Sequence, residues 1–399
     1  MVEEWARKMC GASPLVALFG HRQVGKTSLA ERLASSYHTL DDRRNLNLAM
    51  SDPEGFLSGI ADRHHTVVID ECQLAPPLFP ALKEWVRTHQ RPGQFLLTGS
   101  VRFSSRKVIK ESLTGRLINV VIPPLGSAEL CESTQPRFLQ GLLKHGLSRA
   151  PAAPSATALL QLKKSLARYE LTGGLPGTCF LRDEHIRAGR FESQIETILD
   201  RDLRLLLETS LPFVTLRRVL AELAACVGEP LNLSNLHRRT RVSPNTLRKL
   251  LYAFESMFLI ELVPYHQGAG QPSIFFVDSG EAHHLAAGRL SPEQSFAQCL
   301  FSDLKATLSN VTRMPTRVEI THFRTRGGTN IPLVLTAGKK SFGFLPVLPD
   351  MPFSSVLGQT KSFLQSENAQ GIVAVRRELE HCVRRHERLI EVPHAYVGA

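Results

Sequence analysis

The stretch from Leu15 to Leu33 constrains this chain more than any other. An apolar run, Leu15-Val16-Ala17-Leu18-Phe19, leads into Gly20-His21-Arg22-Gln23-Val24-Gly25-Lys26-Thr27 and then the helix-like Ser28-Leu29-Ala30-Glu31-Arg32-Leu33. Strand, G-x-x-x-x-G-K-[ST], helix is the context that a phosphate-binding loop requires. Gly20 and Gly25 allow backbone turns that a side chain would block. The loop N–H groups, through Gln23, Val24, Gly25 and Ser28, then face phosphate oxygens together with the helix N-terminus. Lys26 adds a point charge for the β- and γ-phosphates, and the Thr27 hydroxyl is a ligand for Mg²⁺.

A second motif supports the first. Thr66-Val67-Val68-Ile69-Asp70-Glu71 is a β-branched run without alternation, the pattern of a strand buried on both faces of a parallel sheet. Two acids where such a strand ends are costly unless metal or water meets them. Asp70 is expected to organise the Mg²⁺ shell, and Glu71 to act as the base toward water. A third strand, Gln94-Phe95-Leu96-Leu97-Thr98-Gly99-Ser100, ends in small polar residues at the edge that faces the ligand crevice. Thr98 or Ser100 is expected there as a sensor of the γ-phosphate or of the attacking water. ATP or GTP binding follows from these three strings.

At 399 residues the chain has room for two to four domains, and 43% hydrophobic residues suffice for packed cores. Seven cysteines are scattered without a C-x-x-C pair, and the N-terminus reads as acidic and amphipathic. Free thiols in a reducing, cytoplasmic compartment are expected. No run of about 18 apolar residues occurs, so no membrane partner is expected. A formal charge of +11 favours polyanionic partners.

Further along, Ser112-Leu113-Thr114-Gly115-Arg116 precedes the apolar strand Leu117-Ile118-Asn119-Val120-Val121-Ile122. Arg116 is read as lying near the sheet's carboxyl edge, where an arginine neutralises γ-phosphate charge in its own or a neighbouring subunit. A plain surface arginine is the alternative. Residues 149–157, rich in Ala and Pro, read as a linker. Over residues 213–265, a helix at Leu216–Leu223 and a short one at Leu233–Thr240 precede a third, opened by Ser243-Pro244. Leu247, Leu250, Leu251, Phe254 and Met257 recur at helical spacing and leave Asn245, Arg248 and Lys249 outward. With two hairpin strands after it, the pattern is a winged helix. On DNA the third helix enters the major groove, with Arg238, Arg239 and Arg241 near phosphates. A lid or protein interface is the alternative use.

With these residues assembled, the chain resembles the AAA-type ATPases of bacteria and archaea that end in a domain of unknown function with a restriction-endonuclease-like tail. The matching features are Asp70-Glu71-Cys72-Gln73, Leu96-Leu97-Thr98-Gly99-Ser100, and Ser112–Arg116 followed by Pro124-Leu125 and Glu129. Tyr169 with Gly173-Gly174-Leu175-Pro176, Arg201-Asp202-Leu203 and Phe275-Phe276-Val277-Asp278-Ser279-Gly280 complete the set. The resemblance implies ATP binding. The predicted fold is therefore α/β: an AAA-type P-loop NTPase parallel-sheet domain at 1–130 and a helical linker or lid at 131–212. A winged helix at 213–268 and a degenerate restriction-endonuclease-like α/β domain at 269–399 follow. The expected activity is Mg²⁺-dependent ATP hydrolysis coupled to DNA, to a protein partner or to a homo-oligomer. A nucleotide switch or scaffold without turnover is the second reading, and an active nuclease the third.

The tail argues against the third. Family members carry a helix Glu, then an E-x-D strand after an R-T-x-x-G turn, then an E-x-K strand. Here Glu293 fits the helix position and Arg324-Thr325-Arg326-Gly327-Gly328 the turn. The strands then offer Asn330 and Pro332, and afterwards Leu345 and Val347, where acids and lysine are expected. Apolar side chains cannot ligate a hard cation. Plasmid and single-stranded DNA incubated with the protein in Mg²⁺ or Mn²⁺ should stay intact. Cleavage that disappears in Glu293→Ala but persists in Lys26→Ala would reveal a working nuclease that uses Glu293 together with other acids.

Overall fold

The computed structural model describes residues 2–102, 113, 115–131, 137–147, 166–311, 318–377 and 384–398. The predicted linker at 149–157, and Ser112 and Thr114 of the S-L-T-G-R string, lie outside them. The chain divides into a unit of residues 1–123 with 256–258, and a unit of residues 124–255 with 259–399. Among the described residues no helix is long and apolar enough to cross a membrane.

The first unit opens with α1 (Val2–Cys10), β1 (Leu15–Phe19), α2 (Lys26–Leu33) and β2 (Ser36–Thr39). It continues with α3 (Arg43–Ser51), α4 (Pro53–Ile60), β3 (Val67–Asp70), α5 (Leu78–Thr88), β4 (Phe95–Gly99) and β5 (Leu117–Val121). The strands form one parallel sheet in the order β2-β3-β4-β1-β5. The all-apolar β1 sits between two neighbours and is buried throughout, as its lack of alternation requires. Side chains alternate between the two faces. Leu15, Ala17, Phe19, Val67, Ile69, Phe95 and Leu97 share one core with residues of α3, α4 and α5. Asp42 and Asp52 cap α3 and α4 through their side chains, which ends the preceding turns sharply.

β3 is not beside β1, because β4 lies between them. The loop after β1 and the acids after β3 are thus two strand spacings apart, about 10 Å. Thr98, at the end of β4, fills the gap. Arg116 requires a correction. Leu117 pairs with Leu15, at the start of β1. A residue preceding a parallel strand lies at the amino edge, so Arg116 is one strand length, roughly 13 Å, from the edge that carries the phosphate loop.

In the second unit, helices at Phe213–Ala224, Leu233–Thr240 and Pro244–Ser256 precede a hairpin of β6 (Ile260–Val263) and β7 (Ser273–Phe276). A helix at Pro292–Val311 leads into β8 (Val318–Arg324), β9 (Asn330–Ala337) and β10 (Lys340–Val347). A helix at Phe353–Leu364 then crosses to β11 (Ala369–Arg376), before β12 (Arg384–His386) and β13 (Leu389–Pro393). These six strands form a mixed sheet ordered β12-β13-β11-β10-β9-β8. Pro332 lies in an interior strand, which proline normally breaks. The pairing of β8 with β9 shifts register between Thr321 and Phe323, opposite Pro332, so the missing N–H falls at an irregularity in the ladder.

Three of the strings that carry the resemblance meet inside this unit. The Asp278 carboxylate accepts hydrogen bonds from the N–H groups of Gly174, at 2.7 Å, and Glu281, at 2.9 Å. The Gly174 carbonyl in turn accepts from Leu125 N–H at 2.8 Å. A β-carbon on Gly174 would stand 1.9 Å from the Leu125 carbonyl oxygen. Gly174 is thus required by close backbone approach. Nearby, Ser127 donates through its N–H and hydroxyl to the buried Asp303, which also pairs with His394 at 3.3 Å. Gly174→Ala should destabilise this unit by about 1–3 kcal/mol, the range for overpacking. Denaturant unfolding checks this, and an unchanged midpoint would contradict the close-approach account.

Candidate nucleotide-binding site

The site forms at the carboxyl edge of the five-stranded sheet. The Phe19 carbonyl accepts from Ile122 N–H, and a β-carbon on Gly20 would meet the Ile122 carbonyl oxygen at 2.3 Å. Only glycine allows the loop to leave β1 at that point. Gln23 (φ 61°) and Gly25 (φ 95°) are left-handed, and Gly25 is the N-cap of α2. Val24 is buried, whereas Thr27 and Ser28 are exposed at the first turn of the helix. Lys26 is buried, and its Nζ donates to the carbonyls of Gly20 at 3.0 Å and His21 at 2.8 Å. The ammonium is thereby held inside the loop.

Asp70 ends β3 on the sheet face opposite the core shared with α3–α5. Strand register places Thr39 beside Asp70, and Tyr37 beside Val68 on that same face. Its Oδ1 accepts from the Thr98 hydroxyl, and its Oδ2 from the Tyr37 phenol at 2.5 Å. Burial, then the bond to Asp70 and its charge, push the Tyr37 phenol above its ordinary value, so it remains a donor. Glu71 follows in a left-handed conformation, φ 53°, unusual for a residue with a side chain. Such backbone costs about 1–3 kcal/mol and persists where the surroundings impose it. Here the Glu71 N–H donates to Thr98 Oγ1 at 3.3 Å, while its carboxylate accepts from Gln73 Nε2. Gln73 also reaches the buried Ser100 hydroxyl at 3.4 Å. Burial first, then the charges of Glu71 and Asp70, raise the Cys72 thiol well above its ordinary value, which keeps it protonated.

Lys26, Thr27, Asp70, Glu71, Thr98 and Ser100 are thus distributed along one edge, with Arg116 at the other. Sequence reasoning alone misses two participants, Tyr37 and Gln73. Gln73 enters it only as the last letter of a family-like string, and Tyr37 lies on a short edge strand whose sequence carries no motif.

The residues read as contacting DNA lie in the second unit. On the helix Pro244–Ser256, Leu247, Leu250, Leu251 and Phe254 are buried and Asn245, Arg248, Lys249 and Tyr252 exposed. Ser243 Oγ accepts from Thr246 N–H at 3.2 Å, capping the helix. Arg248 donates to Asn245 at 2.8 Å and Arg238 to Asn235 at 3.0 Å. Arg241 is exposed in a left-handed turn. Arg239 pairs with Glu222 at 2.7 Å, and Arg289 binds the same carboxylate at 2.9 Å. In the tail, Glu293 is exposed, Leu345 and Val347 are buried, and no cluster of three His, Cys, Asp or Glu able to hold a metal occurs among the described residues.

Comparison with known proteins gives two family matches. Residues 12–131 match an AAA domain, and residues 163–292 match a domain of unknown function (DUF8612). The uncharacterized proteins Rv2008c of Mycobacterium tuberculosis and Mb2031c of Mycobacterium bovis are each 29% identical over 288 residues. Those matches cover 70% of this chain and 57% of each relative, so the aligned part is little more than half of the curated relatives' length. Among solved structures, the Walker-type ATPase paby2304 of Pyrococcus abyssi aligns at 16% identity and TM-score 0.42, covering 71% of this chain and 94% of that one. A RuvB protein of Thermotoga maritima aligns at 16% identity and TM-score 0.33, covering 66% and 89%. This chain thus carries an AAA domain over residues 12–131, followed by a domain of unknown function over residues 163–292.

Proposed function

We propose that the chain is a Mg²⁺-dependent ATPase that couples its nucleotide state to binding of duplex DNA or a protein partner. The observation that carries this reading is the convergence of Lys26, Thr27, Asp70 and Thr98 at one edge of a parallel sheet. The groups there able to ligate a cation, Thr27, Asp70 and Thr98, offer only hydroxyl and carboxylate oxygen, which suits Mg²⁺. Lys26, already held on the Gly20 and His21 carbonyls, is placed to receive phosphate charge. On this reading the loop N–H groups and Lys26 hold the β- and γ-phosphates, Thr27 ligates the metal, and Asp70 orders its water shell. Bound Mg²⁺ would supply charge neutralisation at the phosphates.

Glu71 takes the proton of the attacking water. Its imposed backbone and the Gln73 amide fix the carboxylate, and Ser100 extends that polar line toward the γ-phosphate position. Arg116 acts on a neighbouring subunit, since roughly one strand length separates it from its own loop. A homo-oligomer follows from that role. Glu71→Gln should still bind ATP but hydrolyse it about 100-fold more slowly or worse. Arg116→Ala should slow hydrolysis as well, and active-site-dead subunits that retain Arg116 should restore its rate when mixed in. An unchanged rate in Glu71→Gln would favour a nucleotide switch without turnover.

DNA binding is supported by one helix face. Asn245, Arg248, Lys249 and Tyr252 stand at i, i+3, i+4 and i+7, an exposed polar and basic stripe behind which the leucines pack. The three helices and hairpin serve on this reading as a winged helix, and the six-stranded sheet as a nuclease-like domain kept for assembly. Arg239 contributes less than its neighbours, because Glu222 already pairs it. Binding of duplex DNA should weaken steeply with salt. Replacing Arg238, Arg248 and Lys249 together should lower affinity and flatten the salt slope by up to about one unit for each phosphate no longer neutralised. No mobility shift of the parent at low salt would assign this face to a lid or protein interface.

A further inference from the structure

Asp70 is a metal-shell carboxylate whose two oxygens are both met by hydroxyls, and one of these hydroxyls comes from outside every motif. Tyr37 lies on β2, the edge strand, on the same sheet face as the row that Thr39 and Asp70 form across the sheet. Its ring spans from that strand to the Asp70 carboxylate, where the phenol donates at 2.5 Å to Oδ2. Thr98 supplies the hydroxyl on Oδ1. Thr27 lies in the first turn of the helix after the phosphate loop and Asp70 ends a strand two positions away in the sheet, and Tyr37 holds the second of them.

Building on the nucleotide reading above, we propose that Tyr37 is a positioning residue for the metal-shell carboxylate Asp70, acting through its hydroxyl. With the phenol donating to Oδ2 and the Thr98 hydroxyl to Oδ1, the Asp70 carboxylate is held in one orientation. Asp70 keeps one lone pair on each oxygen for the cation's water shell. That bond from Tyr37 fixes the orientation of a carboxylate whose placement matters to Mg²⁺, with its strict octahedral demand. A phenylalanine would fill the same space but leave Asp70 Oδ2 without its donor. Removing one hydrogen bond to a charged group weakens the dependent equilibrium by about tenfold or more.

The test separates the metal from the nucleotide. A fluorescent ADP is titrated into the full-length protein in EDTA and again across a range of Mg²⁺, for the parent, Tyr37→Phe, Asp70→Asn and the double variant. The expected result is that Tyr37→Phe matches the parent in EDTA, because Lys26 and the loop are intact. Its magnesium-dependent gain in affinity should fall about tenfold, with no further loss when Tyr37→Phe is added to Asp70→Asn. A parent-sized or larger magnesium gain in Tyr37→Phe overturns the proposal. So does an equal loss with and without metal, since the ring and not the hydroxyl would then support the loop. Additive losses in the double variant also overturn it, because Tyr37 would then not act through Asp70. A parent with no magnesium-dependent gain, and with Lys26→Ala binding ADP as the parent does, would sink the nucleotide reading itself.

Discussion

A carboxylate at the end of a buried strand has to be met by donors, by water or by a metal. Asp70 imposes that requirement on the first unit, and much of the local structure answers it. The hydroxyls of Thr98 and Tyr37 satisfy its two oxygens, one from the strand beside β3 on each side. Thr98 then also accepts the Glu71 N–H, which helps impose the left-handed backbone that swings Glu71 away from the strand direction. The strand order matters as much as the residue types. By keeping β4 between β1 and β3, the sheet leaves about 10 Å between loop and acids, room for a phosphate group and a hydrated cation.

The second unit shows why a distinctive string of residues need not be a site. Gly173-Gly174-Leu175-Pro176 and Asp278-Ser279-Gly280 have the look of loops that touch a ligand. In the structure they touch one another: Asp278 accepts from Gly174, Ser279 donates to the Tyr169 carbonyl, and Gly280 lies against the Thr172 backbone. Pro124-Leu125 joins the same junction through the Leu125 N–H. Such residue choices are explained by close backbone approach and buried hydrogen bonding, with no ligand required.

The central strands and the phosphate loop were legible from the sequence, because buried parallel strands lack alternation and the loop's glycines have fixed spacing. The apolar face of the helix Pro244–Ser256 was legible for the same kind of reason, since Leu247, Leu250, Leu251 and Phe254 follow the helical period. Arg116 was misplaced because spacing locates a residue along the chain, whereas the sheet edge depends on which end of the strand it adjoins. Tyr37 was invisible because its role comes from register between β2 and β3, which no local pattern encodes. The partnership of Arg239 with Glu222 likewise joins different helices, and only packing brings them together.

The central claim is that nucleotide binds at the carboxyl edge of the five-stranded sheet, between the loop after β1 and the acids after β3. Amide hydrogen exchange of the full chain, with and without Mg²⁺ and ATP, tests it most directly. Added nucleotide should slow exchange at residues 20–28 and 70–73, through direct contact with the loop and ordering of the acidic turn. Unchanged exchange in both stretches at saturating nucleotide, or protection confined to the second unit, would contradict it.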